Sequence, residues 1–218
     1  ENLTDVNTSY LLSGKYWIMG NLVDLLIGLA NRQNKSVSWN GRMSTASAAP
    51  LSLKPAGDFE SLRENDGLGP FKFKLTSARG LDPRYRIGEN LDLIIRTDED
   101  AWVYCFYNQA NGEVIQMFPN PYFWKRFKSP LLRAGIAYTL PGKNIFPFDL
   151  KITPPVGREL VKCFAASRDI TKELPKALRG RTLSPLPQKL VKHLSESFRS
   201  MSHTGIGEAS LVVTVVQP

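Results

Sequence analysis

The chain has 218 residues, 42% of them hydrophobic, with a formal charge of +8 and a pI near 9.5. That leaves room for one large domain, or one domain plus a smaller piece, around an ordinary globular core. No apolar run reaches the roughly 18 to 20 residues of a membrane-spanning helix, since Ile18 to Ala30 is broken by Asn21 and Asp24.

The first residues, Glu1-Asn2-Leu3, offer neither an initiator Met nor the charged and apolar regions of a signal peptide, which reads as a processed or trimmed product. SYLLSGKYWIM is β-rich and ends at the turn dipeptide Gly20-Asn21. NLVDLLIGLAN follows as a helical or extended segment, and SVSWNGRMSTA alternates like a further strand. This front piece is too short for a stable core of its own. From Ala48 to Gly69 the composition turns to Pro, Gly and charge, which predicts a linker with a short helix at Asp58 to Arg63.

After Pro70 the pattern is that of a compact β domain. FKFKLTSA alternates apolar and basic residues, giving one dry and one wet face. AWVYCFYNQ and EVIQMFP flank Asn111-Gly112, which predicts a hairpin with a type I′ turn. IAYTLPG, FPFDLKITP and GRELVKCFAAS supply further strands at sandwich-like spacing. The period then becomes helical in DITKELPKAL, where Pro175 shortens or splits the helix, and in LPQKLVKHLSESFRSM. There Leu190, Leu194, Phe198 and Met201 share a face. ASLVVTVVQ closes the domain as a β-branched strand.

Chemistry-bearing motifs are few. The chain lacks G-x-S-x-G, HExxH, P-loop and G-x-G-x-x-G sequences. Cys105 and Cys163 sit in no CxxC or Cys/His cluster, which argues against zinc. Two buried thiols or a disulfide between neighbouring strands both fit, the latter in an oxidising compartment. His193 reads as a structural histidine, and a Cys163–His193 nucleophile pair has no third group to orient it. The expectation is therefore no catalytic residue, no metal and no cofactor.

One segment does suggest contact with a partner. In residues 117 to 135, Tyr122, Phe123, Trp124 and Phe127 interleave with Lys125, Arg126 and Lys128. Aromatics among cations suit stacking or cation–π contact with an anionic ligand, and they also mark protein interfaces. The alternative is a long loop whose aromatics cap the sandwich while its charges are solvated. Pro119, Pro121 and Pro130 predict an exposed loop over 120 to 133. On charge alone, nucleic acid, lipid headgroups and cell-wall polymers all qualify as partners.

Tyr104-Cys105-Phe106-Tyr107, Gly112-Glu113 and Phe118-Pro119-Asn120 form an ordered series with Ala134-Gly135, Leu140-Pro141-Gly142 and Gly157-Arg158-Glu159 before Cys163. Over residues 70 to 217 this resembles an uncharacterised bacterial domain of unknown function found in envelope, secretion-related and signalling proteins. Val156 stands where that series commonly has Pro-Gly. The front piece, Tyr10 to Tyr16 with Ser36-Val37-Ser38-Trp39, is similar to the final strands of flagellar outer-membrane and curli-transport lipoprotein domains.

Together these readings imply a mainly β chain with two late helices: a β-sandwich-like (immunoglobulin-like) domain at 70–218, a linker at 50–69, and a partial α/β piece at 1–49. The resemblances imply a non-enzymatic structural or adaptor subunit of a Gram-negative envelope assembly, in the periplasm and attached to the outer membrane through an upstream lipoprotein signal. Its partners would be other protein subunits, or an anionic polymer or lipid surface, and the envelope setting argues against nucleic acid.

Overall fold

The computed structural model describes residues 10–19, 21–31, 36–48, 63, 65–122, 129–142, 145, 148–180 and 183–217. The chain divides into two compact units, Glu1–Ser61 and Leu62–Pro218.

In the first unit β1 (Tyr10–Met19), β2 (Leu22–Asn31) and β3 (Ser36–Ser44) form an antiparallel meander, followed by the single helical turn α1 (Thr45–Ala48). NLVDLLIGLAN is thus a strand. Its alternation decides this: Val23, Leu25, Ile27 and Leu29 fall on one face, opposite Met43, Gly41, Trp39 and Val37 of β3. That apolar face is closed at one end, where Val23 is buried, and open at the other, where Val37 and Trp39 are more than half exposed.

The strands of the second unit begin with β4 (Phe73–Thr76), β5 (Arg84–Arg86), β6 (Asn90–Leu91), β7 (Leu93–Thr97), β8 (Ala101–Asn108) and β9 (Val114–Phe118). They continue with β10 (Leu131–Leu132), β11 (Ala137–Leu140), β12 (Leu150–Lys151), β13 (Gly157–Ala166) and β14 (Ile206–Val216). A six-stranded sheet runs β10–β8–β13–β14–β5, with β9 also paired to β8. A smaller sheet runs β11–β7–β4, and β12 pairs with β6.

β8 and β13 are buried on both faces, which is why AWVYCFY and ELVKCFAA read as nearly continuous apolar runs. On one side β4 packs beside β14, and the small sheet turns Phe73, Leu75, Leu93, Ile95 and Leu140 into the core. On the other side Tyr104, Phe106 and Phe164 meet residues from the late chain, including Ile170, Leu174, Leu194 and Phe198. Phe198 stacks on Phe164 at 4.1 Å between ring centroids. Large side chains buried this fully contribute roughly 1.5–3 kcal/mol each, so the mainly β fold draws much of its stability from these two layers.

The late helical segments are short, the first as Pro175 predicts. DITKELPKAL yields only a 3-10 turn at Lys176–Leu178 after Pro175. LPQKLVKHLSESFRSM splits into α2 (Gln188–Lys192) and α3 (Leu194–Arg199), because His193 leaves the helical region at φ −113°. Leu194 and Phe198, four residues apart, still point into the core, with Leu190 and Met201 packed at its rim.

The predicted hairpin forms between β8 and β9, with Asn108 opposite Val114. Its turn is not type I′, which would need a positive φ at Asn111; only Gly112 has one, at 85°. Gly112 N donates to Gln109 O, and Gln109 N donates to Glu113 O. This is a type I turn closed by a left-handed glycine, and Glu113 N donating to the Asn111 side chain fixes it.

The linker expected at 50–69 falls largely outside the described residues, as does the short helix at 58–63 apart from Arg63. Its last residues belong to the fold rather than to a tether. Asp66 bridges in parallel to Glu208 of β14, and Gly67 N donates to Glu208 O at 3.0 Å.

Candidate contact surface

The aromatic and basic segment arises where β9 leaves the sheet. A register shift between Cys105 and Phe106 marks the exit, opposite Phe118. Beyond it Phe118 and Asn120 are fully buried. Asn120 Nδ2 donates to Met117 O at 2.8 Å, and its Oδ1 accepts from Tyr122 N at 3.0 Å, closing a tight Asx turn.

Gly180 presses against this turn. At its φ of 67° a side chain is strained, and a Cβ there would lie 2.5 Å from Pro119 O. Its N–H donates to Gln116 Oε1 at 3.0 Å. The return is equally fixed: Pro130 O accepts from Val103 N, and β10 pairs with Ala101 and Trp102 on the same edge of β8 that β9 occupies. The chain therefore departs from this sheet edge at Pro119 and rejoins it at Pro130, an excursion with both ends pinned; Asn120, Pro130 and Leu132 are buried, so the exposed loop expected over 120 to 133 does not reach either end.

Tyr122 is exposed at 47%, with its ring edge-on to Phe148 at 5.3 Å. Phe123, Trp124, Lys125, Arg126, Phe127 and Lys128 lie outside the described residues. Phe118 and Pro119 belong to the packed base, as core caps.

Cys105 and Cys163 face each other directly in the β8–β13 ladder, with Cα atoms 4.1 Å apart, and are joined in a disulfide. Both are fully buried. His193 stands at the surface, its Nδ1 2.7 Å from Glu196 Oε2. It lies at the surface rather than against the apolar face, with its ring partnered as expected of a structural histidine, and a bridged, buried Cys163 cannot pair with it as a nucleophile.

The buried ionisable groups of the second unit are engaged with one another. Glu159 accepts from the Tyr107 hydroxyl and, at 2.9 Å, from Ala110 N. Burial, reinforced by the Glu159 charge, raises the Tyr107 hydroxyl well above the ordinary phenol range. Lys162 Nζ lies 2.7 Å from Asp66 and 2.8 Å from Glu208. Arg199 of α3 forks onto both Glu208 oxygens at 2.7 and 3.0 Å. No group of three or more metal-ligating side chains occurs among the described residues. The sequence reading missed this charge cluster, although a lone Lys162 between Val161 and Cys163 on a doubly buried strand demands a carboxylate partner.

No curated protein and no solved structure matches the chain. A narrower stretch than the one the motif series suggests, residues 84–169, from β5 through β13 with the hairpin, the excursion and both cysteines, matches the family described as Domain of unknown function (DUF4384).

Proposed function

We propose that this chain is a non-enzymatic structural or adaptor subunit of a Gram-negative envelope assembly, of the secretion or flagellar kind, and that the excursion carrying Tyr122 to Lys128 is where it grips a protein partner. One observation carries the reading: the excursion leaves and re-enters a single sheet edge through buried, hydrogen-bonded ends, with Tyr122 exposed beside it. Fixed ends on either side of an aromatic and basic segment lower the ordering cost of binding. Placement in the periplasm, attached to the outer membrane, is part of the proposal. The buried disulfide suits an oxidising compartment, and the front piece resembles envelope lipoprotein domains.

The test uses the full chain in native envelope extracts, followed by size-exclusion chromatography. Trp124→Ala should move the protein from a high-mass fraction to its free position, and should do so at both low and high salt, as for a desolvated aromatic anchor. Thermal stability of the isolated variant should stay within about 0.5 kcal/mol of the parent, as for surface changes generally. A loss produced only by replacing Lys125, Arg126 and Lys128 with Ser, and only at low salt, would instead indicate an anionic polymer or lipid. No change with any of these variants would return the loop to a solvated cap.

A further inference from the structure

The outer face of the small sheet carries a second feature, separate from the excursion. Lys74, Arg96 and Ala137 lie side by side across β4, β7 and β11 in one register row, and all three are exposed. Phe73, Leu75 and Ile95, which alternate with them, point into the core. Lys74 and Arg96 are directly opposed, an arrangement that brings their Cβ atoms to about 5 Å and sets like charges against each other. Neither side chain has an ion pair or hydrogen bond among the described residues.

Lys72, just before β4, continues the exposed side of that strand by one step. Its neighbour Asp98 spends Oδ1 on the Lys72 backbone N–H, at 2.6 Å. On the other side come Thr76, Ile94 and Thr139, uncharged neighbours that leave Lys74 and Arg96 exposed to solvent. The wet face of FKFKL therefore presents Lys72 and Lys74 beside Arg96, with Asp98 as the carboxylate next to Lys72.

We propose that the Lys72–Lys74–Arg96 strip binds an anionic polymer of repeating phosphate groups, laid across the strands of the small sheet. One phosphate shared by Lys74 and Arg96 turns their repulsion into joint attraction, and the guanidinium fork suits its geometry. The face is flat, so affinity has to come from several weak contacts along a chain rather than from enclosure of one ion. Shape also decides between a polymer and a membrane. Asp98, Glu99 and Asp100 are all exposed at the end of β7. A planar anionic bilayer would bring all three carboxylates against its headgroups, whereas a single polymer chain crossing at Lys74 and Arg96 passes beside Asp98 alone, next to Lys72.

The strip is separate from the excursion in sequence, and the two can be tested apart. Fluorescence anisotropy with labelled long-chain polyphosphate would follow the full chain, a Lys74→Ser/Arg96→Ser variant, and a control, Lys189→Ser/Lys192→Ser, which removes the same charge from exposed positions on α2. The parent should bind with strong salt dependence. The sheet variant should lose about tenfold in affinity and show a shallower salt slope, while the control changes about twofold or less. The Lys125→Ser/Arg126→Ser/Lys128→Ser variant should still bind polyphosphate. Equal losses in the sheet variant and the control would overturn the proposal, as would loss confined to the excursion variant or absence of binding by the parent. Binding to phosphatidylglycerol vesicles without binding to polyphosphate would overturn it in favour of a membrane surface.

Discussion

Replacing both Cys105 and Cys163 with Ala should lower the unfolding free energy of the second unit by about 4 kcal/mol, the chain-entropy value for a closed loop of this size. The bridge spans a separation of 58 residues and ties the two central strands β8 and β13 at directly opposed positions. Small domains have only about 5–15 kcal/mol to lose, so the variant should unfold at a markedly lower urea concentration. Reductant should shift the parent in the same direction and leave the Ala variant unmoved. A parent whose urea midpoint ignores reductant would show that the bridge does not support the fold. The bridge also abuts the bulge where β9 departs, since Cys105 pairs with Phe118. Amide exchange at Phe118, Asn120 and Tyr122 should accordingly quicken more than exchange in β14.

Much of this architecture is written plainly in the chain. A strand buried on one face alternates, as Phe71 to Leu75 does, while one buried on both faces runs apolar throughout, as Val103 to Tyr107 does. Those patterns give the layers without coordinates. The turn at Asn111-Gly112 was legible as a turn but not by type, because its geometry depends on where the flanking strands stop pairing. The break at His193 was not legible, since the apolar residues on either side keep helical spacing across it.

The linker reading fell short at Asn65 to Gly69 for a different reason. Composition reports how polar a segment is, and not that Asp66 is needed beside a buried cation 96 residues further on. Long-range charge pairing has no periodicity to betray it. The clue was negative: Lys162 and Glu208 are each isolated charges among apolar neighbours, and two such residues on adjacent strands require each other.

That pairing sets the second large effect. Lys162 and Glu208 are 2% and 3% exposed, so removing either leaves the other's charge buried with reduced compensation. Glu208→Ala should cost about 3–5 kcal/mol, toward the lower end because Lys162 keeps Asp66. The Lys162→Met/Glu208→Leu double variant should recover most of that loss, because neither charge then has to be desolvated. Acid provides an independent reading. Burial pushes the Glu208 carboxyl up, but the hydrogen bonds and charges of Arg199 and Lys162 outweigh it and hold the carboxyl below its ordinary value. A group whose folded pKa is depressed contributes stability above its unfolded value, and that contribution disappears as pH falls through the folded one. The parent should therefore hold its Glu208 contribution above the ordinary glutamate range and lose it on further acidification. Glu89, Asp100 and Glu173 also have lowered values through hydrogen bonds, respectively from Arg79, from Ala134 N and Arg133, and from Arg168, but they face solvent and are screened by salt. At about 0.5 M salt, the difference between parent and Glu208→Gln in urea unfolding should shrink steadily below that range. A difference that stays constant down to the acid limit, or a double variant no more stable than Glu208→Ala, would mean that the cluster is not held together by its charges.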